Sequence, residues 1–108
     1  MTDLTIPLSK LEIAADGTGR LPASDLSLSA IALVLQTVTE EVIGRDLDGA
    51  GLNTVSVTID VTGEAESEGD LTFEPRIDRR TRTLVFASGL AKQNGRPLLK
   101  ATIVFRIG

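Results

Sequence analysis

The chain has no histidine and no cysteine among its 108 residues. Without histidine, Ser-His-Asp hydrolysis, acid–base catalysis by imidazole and the usual zinc sites are excluded. Without cysteine there is no disulfide, no thiolate nucleophile and no cysteine metal site. Carboxylates, hydroxyls and amides are left as the candidate chemical groups, and we expect neither a metal nor a cofactor.

Aromatic and basic residues are also scarce. The sequence has three phenylalanines, no tryptophan and no tyrosine, and its 15 acidic and 11 basic residues give a net charge of −4. Binding to nucleic acid or to an anionic membrane needs a basic surface, and stacking on single strands needs more aromatic rings. We therefore expect no nucleic-acid partner and no membrane partner.

Long apolar runs are missing as well. No segment reaches membrane-spanning length, and the N-terminal residues lack the basic start and apolar run of a secretion signal, so we expect a cytoplasmic protein. The length and the 42% apolar content are typical of a soluble globular protein with one core. We expect residues 1–108 to form a single domain.

One long helix is predicted over Ser27–Gly44, around which the rest of the chain is organised. Ser27 or Ser29 can cap its first turn, and Gly44 is a candidate for a left-handed C-terminal cap. The run Ala30–Leu35 is entirely apolar, so we expect the first half of the helix to be surrounded by protein. Polar residues appear only from Gln36 onward.

Strand patterns lie on both sides of this helix. A short hairpin turns at Asp16-Gly17, and an Asn94-Gly95 turn is the strongest hairpin signal in the sequence. In the segment 52–62, the residues Thr54, Ser56, Thr58 and Asp60 alternate with apolar ones, which predicts a half-buried strand with those four on its polar face. Further strands are predicted over 71–78, 84–90 and 99–107. The order predicts an α+β fold in which a meander of about four antiparallel strands wraps one buried helix.

This layout resembles the hotdog fold, in particular the acyl-CoA thioesterases of the phenylacetate-pathway and 4-hydroxybenzoyl-CoA type. The resemblance covers most of the chain from Lys10 to Ile107. A basic turn, Arg79-Arg80-Thr81-Arg82, precedes the second-last strand, and Asn94-Gly95 leads into a closing strand that ends in Phe105-Arg106. The resemblance implies a curved antiparallel sheet wrapped around a central helix.

The same resemblance implies where the site lies. In the family, a His-Gly-Gly loop precedes the helix and a carboxylate stands midway along it; here Ser27-Leu28-Ser29 and Gln36 occupy those places. This implies that Ser27 and Ser29 bind substrate and that Gln36 is the residue at the catalytic position. An amide cannot take a proton at neutral pH, so Gln36 could only orient a water or hold a carbonyl. The alternative is a polar residue that faces solvent or is satisfied in an interface.

Glu40 lies one turn after Gln36 and is the carboxylate that an active hydrolase would use. The alternative is a solvated acid near the helix end, which is the commoner role for such a residue. Four polar residues lie on the first strand after the helix, where the family forms its cleft between protomers and where a serine or threonine can assist a bound water: Asn53, Thr54, Ser56 and Thr58. Of these we assign Asn53 and Ser56 to substrate binding. Ordinary strand hydroxyls and amides would explain them equally well.

Four arginines, Arg76, Arg79, Arg80 and Arg82, fall within seven residues of this acidic chain. A guanidinium group binds phosphate well, and the resemblance implies that Arg79, Arg80 and Arg82 contact the nucleotide part of coenzyme A. The alternative is a solvated hairpin turn.

The strand over 52–62 has few charges to block pairing with another chain. In hotdog proteins two such strands join across a two-fold axis, so we expect a homodimer, or a tetramer built from dimers. The expected ligand is an acyl-CoA or a related small-molecule thioester. Two functions follow: an acyl-CoA thioesterase with its pocket at the dimer interface, or a non-catalytic hotdog module for ligand binding or interaction. Hydratases of this fold use a catalytic histidine, which this chain lacks.

Overall fold

The structure is a computed structural model that describes residues 10–24, 26–47, 51–66 and 68–108. Its described elements, in chain order, are β1 (Glu12–Ile13), β2 (Gly19–Ser24), α1 (Leu28–Asp46), β3 (Leu52–Val61), β4 (Glu68–Arg80), β5 (Leu84–Gln93) and β6 (Arg96–Ile107). The strands form one antiparallel sheet with the order β1-β2-β4-β5-β6-β3. The predicted combination of one long helix and an antiparallel sheet is confirmed.

The helix begins as predicted. Ser27 is its N-cap, and the Ser27 Oγ accepts a hydrogen bond from the Ala30 N–H at 3.2 Å. The predicted end at Gly44 is wrong, because α1 continues to Asp46 and is capped by Leu47, whose φ is −99°. Leu47 is buried in the core, and this apolar contact extends the helix past the glycine.

The sheet order differs from a simple meander. Strands β1 and β2 pair in sequence order, as do β4, β5 and β6, whereas β3 pairs with β6 and β2 pairs with β4. Along β3, Val57, Ile59 and Val61 lie opposite Ile103, Ala101 and Leu99 of β6. This register matches the apolar faces of the two strands. Because β3 is the last strand in the sheet order and pairs with β6, it forms one edge of the sheet.

The core lies between α1 and the sheet. Ile31 and Leu35 are almost fully buried, as are Phe73 of β4 and Phe105 of β6. The helix packs mainly on β4 and β5, with little contact to β6 and β3. The helix-side face of the sheet is therefore covered in the middle and open beside β3.

Burial of the first half of α1 is incomplete within one chain. Leu33 is 47% exposed, so the expectation that Ala30–Leu35 is surrounded by protein is wrong for the single chain. On β3, Val57 and Val61 are 37% and 62% exposed, although they lie on the helix side of the sheet. The helix and the edge strand thus each carry exposed apolar side chains.

The turn regions agree in part with the prediction. Asn94 and Gly95 both have positive φ values, 51° and 78°, as a tight hairpin turn requires. The strand β4 is longer than predicted, since it starts at Glu68 and includes Arg79 and Arg80, which we expected in the turn. A register shift between Ile77 and Arg79 marks a bulge that lets the strand continue.

Candidate functional site

A groove of about 560 Å³ lies between the second half of α1 and the start of β3. Its lining consists of Thr37, Glu40, Glu41, Gly44 and Arg45 from the helix, Leu52 and Thr54 from β3, and Phe105 from β6. The groove exists because the helix leaves β3 uncovered. Its walls carry polar groups from α1 and apolar surface from the sheet.

Three side chains meet at one carboxylate oxygen in this groove. The Gln36 Nε2 donates a hydrogen bond to the Glu40 Oε1 at 3.0 Å, and the Thr54 Oγ1 donates to the same oxygen at 3.2 Å. Gln36 and Glu40 are both half-buried and lie one helical turn apart. The two predicted catalytic residues are thus in direct contact.

Thr54 was placed on the wrong face by the sequence pattern. Strict alternation groups it with Ser56 and Thr58, but the register of β3 against β6 shifts between Thr54 and Ser56. This bulge at Val55 turns Thr54 to the helix side, opposite Phe105. The sequence resemblance named Thr54 among the strand residues of the cleft, but the residue pattern gave no sign of the bulge that brings Thr54 to the helix side.

Ser27 and Ser29 lie at the other end of the helix. Both are exposed, and Ser27 caps the first turn. At 1.5 Å per residue, Gln36 is roughly 13 Å further along the helix axis than Ser27. Within one protomer these serines do not join the cluster at Glu40.

Asn53 and Ser56 also lie apart from the cluster. They are opposite Arg106 and Val104 on β6, which places them on the outer face of the sheet, away from the helix. The Asn53 Nδ2 donates to the Gly108 carbonyl oxygen at 3.2 Å. Of the polar residues at the start of β3, only Thr54 contacts the cluster.

Arg80 shares the helix-side face with the groove. It pairs with Val85, Val85 pairs with Phe105, and Phe105 pairs with Thr54, so the four residues form one row across β4, β5, β6 and β3. Strands about 4.8 Å apart put Arg80 roughly 14 Å from Thr54 along this row. The Arg80 side chain is exposed.

The other arginines are placed differently. Arg79 pairs with Phe86 on the outer face, and its guanidinium carbon lies 5.8 Å from the centre of that ring. Arg76 is also engaged, because its Nε donates to Asp78 Oδ1 at 2.8 Å. Arg82 is exposed in the turn after β4. The predicted arginine cluster is therefore divided between the two faces of the sheet.

Charge near the groove is partly balanced. Glu41 and Arg45, both exposed, form an ion pair at 3.6 Å along the helix. Glu40 has no cationic partner within 4 Å among the described residues. No group of three potential metal ligands occurs in the described segments. The groove thus holds the carboxyl group of Glu40, which makes no ion pair with a described residue and is oriented by two neutral donors.

Comparison with known proteins gives a result at the level of structure alone. No family model matches the sequence, and no curated protein matches it. Among solved structures, zebrafish thioesterase superfamily member 2 is 21% identical, covers 94% of this chain and 83% of its own length, and superimposes with a TM-score of 0.81. The chain has the hotdog fold. The fold implied by the sequence resemblance is confirmed.

Two further hotdog neighbours are informative. A putative thioesterase of Ralstonia eutropha, described as a phenylacetic acid degradation-related protein, is 21% identical over 94% of this chain and 91% of its own, with a TM-score of 0.76. A hypothetical thioesterase of Streptococcus pneumoniae, solved with coenzyme A, is 16% identical over 91% of this chain and 84% of its own, with a TM-score of 0.75. In the described part of this hotdog chain, no helix is both long enough and apolar enough to cross a bilayer.

Proposed function

We propose that this hotdog protein binds an acyl-CoA or a related thioester in the groove between α1 and β3 and hydrolyses its thioester bond. The observation that carries the proposal is the contact of Gln36 and Thr54 with Glu40, a carboxyl group that lines the groove together with Thr54. An oriented carboxylate beside an open cavity is a usual arrangement for acid–base chemistry. The thioesterases among the solved neighbours, one of them with coenzyme A, support the same ligand class.

We propose further that the working unit is a homodimer joined along β3, or a tetramer of such dimers. The support is the uncovered edge of β3 together with the exposed apolar side chains of Leu33 on the helix and of Val57 and Val61 on β3. An apolar edge strand tends to pair with another strand, and a two-fold axis would join two copies of β3. Each groove would then be closed by the second protomer.

Two of the predicted binding segments fit this assembly. Ser27 and Ser29 are too far from Glu40 along their own helix, so they contribute to a groove only as residues of the second protomer. Arg80 lies on the groove side of the sheet and can hold a phosphate of the coenzyme A nucleotide while the thioester lies near Glu40. Arg79 lies on the outer face of the sheet and Arg82 lies in the turn after β4, so both are less well placed than Arg80 to bind that phosphate.

A second function is a non-catalytic hotdog module that binds a thioester without cleaving it. The observation that favours it is the amide at Gln36, which cannot accept a proton at neutral pH and which uses one of its two N–H donors on Glu40. In this case the groove would retain the ligand and the β3 edge would still form the dimer.

The experiment is an assay of the purified protein against a panel of short-chain and aromatic acyl-CoA thioesters. Because the chain has no cysteine, a thiol reagent reports only the coenzyme A that is released. Turnover above background supports hydrolysis, whereas a rise in melting temperature with coenzyme A but no turnover supports the non-catalytic module. If neither occurs with any thioester, both functions are wrong.

A further inference from the structure

We infer that the missing side chain at Gly44 makes room for the thiol side of the thioester, the pantetheine arm of coenzyme A, against the second half of α1. Gly44 then helps to determine which ligands the groove accepts without taking part in the chemistry. The inference rests on the proposed binding of a coenzyme A thioester in the groove, and it applies to the hydrolase and to the non-catalytic module alike.

Gly44 lies inside α1 and does not end it. The helix continues to Asp46 and is capped by Leu47, so the C-terminal cap that favours glycine is not at position 44. Apart from proline, glycine is the least favourable residue in a helix interior, because its backbone loses the most freedom on folding. The glycine therefore needs a reason outside the helix itself.

Packing within the protomer does not supply that reason. A Cβ atom on Gly44 meets no atom within 4 Å, so an alanine would fit there without displacing a neighbour. What lies beside Gly44 is the groove, which it lines together with Leu52. Glycine leaves the helix backbone open to the cavity at this point, and a ligand can approach the main chain more closely than at any other residue type.

Gly44 lies one step along the groove from Glu40. The two residues are four apart on α1, which is one turn, or roughly 6 Å along the axis. Leu52 is two residues before Thr54 on β3, so it faces the same side of the sheet roughly 7 Å away. Because Thr54 donates to Glu40 at 3.2 Å, Gly44 and Leu52 form the next pair of opposite wall positions. The helix ends two residues after Gly44 and β3 starts at Leu52, so both lie at the same end of the groove.

This end of the groove faces the turn between β4 and β5. Leu52 lies opposite Ile107, and the Ile107 N–H donates to the Thr83 carbonyl oxygen at 2.8 Å. Thr83 belongs to the turn that follows Arg80, the residue proposed to bind a phosphate of the nucleotide. The pantetheine arm joins the nucleotide to the thioester, so it leaves Glu40 along the Gly44 end.

The other direction along β3 suits the acyl group. Beyond the bulge, the next residue of β3 on the helix side is Val57, an apolar side chain that is 37% exposed. An acyl group gains free energy by covering such a surface. The amide groups of the pantetheine arm need a polar environment instead, and at the Gly44 end the exposed Glu41 and Arg45 also line the groove.

The test adds a side chain at position 44 and measures binding of free coenzyme A, which has no acyl group. Gly44→Leu and Gly44→Met extend into the groove, and Asp46→Leu is the control, since Asp46 is exposed on the same helix outside the groove. Titration calorimetry should give a Kd for coenzyme A that is about tenfold higher or more in both Gly44 variants, because overfilling a fitted space is unfavourable. Asp46→Leu should retain the wild-type Kd.

The fold and the assembly are checked in the same variants. Leucine and methionine are better helix formers than glycine and their Cβ has free space, so the melting temperature without ligand should equal or exceed that of the wild type. Gly44→Met, with its flexible side chain, decides the test if Gly44→Leu does not fold. The mass in solution should equal that of the wild type. A smaller mass would show that the glycine makes room for a second protomer, which overturns the inference.

The outcomes separate this inference from the proposed function. A higher Kd for coenzyme A in the Gly44 variants, but not in Asp46→Leu, supports the inference. If the Gly44 variants bind coenzyme A like the wild type, the pantetheine arm does not lie at Gly44, although the proposed binding of thioesters stands. The same holds if only the KM for bulky acyl groups rises, since the acyl side would then lie there. If the wild type binds neither coenzyme A nor any thioester, the inference and the proposed function are both overturned.

Discussion

Thr39 of the helix lies directly against the backbone of Gly89 in β5. A Cβ atom on Gly89 would stand 2.6 Å from the Thr39 Oγ1 and 2.9 Å from the Leu35 Cδ1. The Thr39 hydroxyl is held in place, because it donates to the Leu35 carbonyl oxygen at 2.8 Å. The absence of a side chain at Gly89 therefore sets how closely α1 packs on the sheet, and with it the width of the groove beside β3.

Gly89→Ala should destabilise the fold. The added methyl group has to displace the helix or its side chains, and overpacking of this kind typically costs about 1 to 3 kcal/mol. Gly44→Ala is the matched control, since a Cβ on that helical glycine meets no atom within 4 Å. It should stabilise the protein by up to about 1 kcal/mol. Urea unfolding measures both, and equal stability of Gly89→Ala and wild type would contradict the packing argument.

The turn between β1 and β2 should give the fold a dependence on acid pH. The Thr18 backbone N–H donates to the Asp16 Oδ1 at 2.9 Å, and this bond, followed by one from the Thr18 side chain, lowers the pKa of Asp16 from its ordinary value. A lowered folded-state pKa contributes stability above the unfolded pKa, and this contribution is lost as the pH falls through the folded value.

Asp16→Ala should therefore melt at a lower temperature than the wild type at neutral pH. The difference should shrink as the pH falls below about 4, where the wild-type carboxyl becomes protonated and no longer holds the Thr18 N–H. Melting curves of both proteins from pH 3 to pH 7, taken in steps of about half a unit, check the sign. A difference that stays constant across this range would show that the carboxylate is not the cause.

The sequence was sufficient to predict where the helix and the turns lie, but not which strands pair side by side in the sheet. Ser27 as a cap and Asn94-Gly95 as a turn are local features, and both occur where the residue types predict them. The position of β3 at the edge depends on which apolar face it matches across the sheet. Partner choice involves residues far apart in the chain, so a local pattern does not define it.

The candidate site likewise contains one contact that follows from the sequence and one that does not. Gln36 and Glu40 lie one turn apart on a predicted helix, so their contact follows from helical spacing. The contribution of Thr54 does not, because a single bulge at Val55 reverses the face on which it lies. Alternation also placed Ser56 and Thr54 together, whereas the structure separates them. A prediction from strict alternation assumes that every second residue faces the same side, so it assigns the wrong face to a residue beyond a bulge.

Val57→Lys should prevent dimer formation through β3. Val57 is 37% exposed on the edge strand, and across a two-fold axis the substitution brings two like charges close together. We expect the wild type to elute as a dimer or larger assembly and Val57→Lys to elute mainly as a monomer. Light scattering coupled to gel filtration gives the masses.

Ala14→Lys is the control for this change. It adds the same charge at an exposed position beside the opposite edge of the sheet, next to β1. Its mass should equal that of the wild type. A wild-type chain that is monomeric at micromolar concentration, or a dimer that survives Val57→Lys unchanged, would rule out association along β3.

Arg80→Ala should weaken binding of coenzyme A thioesters more than Arg79→Ala does. Arg80 lies in the row that leads through Val85 and Phe105 to Thr54 on the groove side, whereas Arg79 packs on Phe86 on the outer face. An exposed charge pair is worth up to about 1 kcal/mol, so we expect KM to rise roughly two- to fivefold in Arg80→Ala with kcat unchanged. The difference should disappear at high salt, which screens exposed charges.

A thioester without the nucleotide, such as an acyl-pantetheine, is the control substrate, and its KM should not differ between the two variants. An equal effect of both substitutions on the KM for acyl-CoA would show that Arg80 is not part of the binding site.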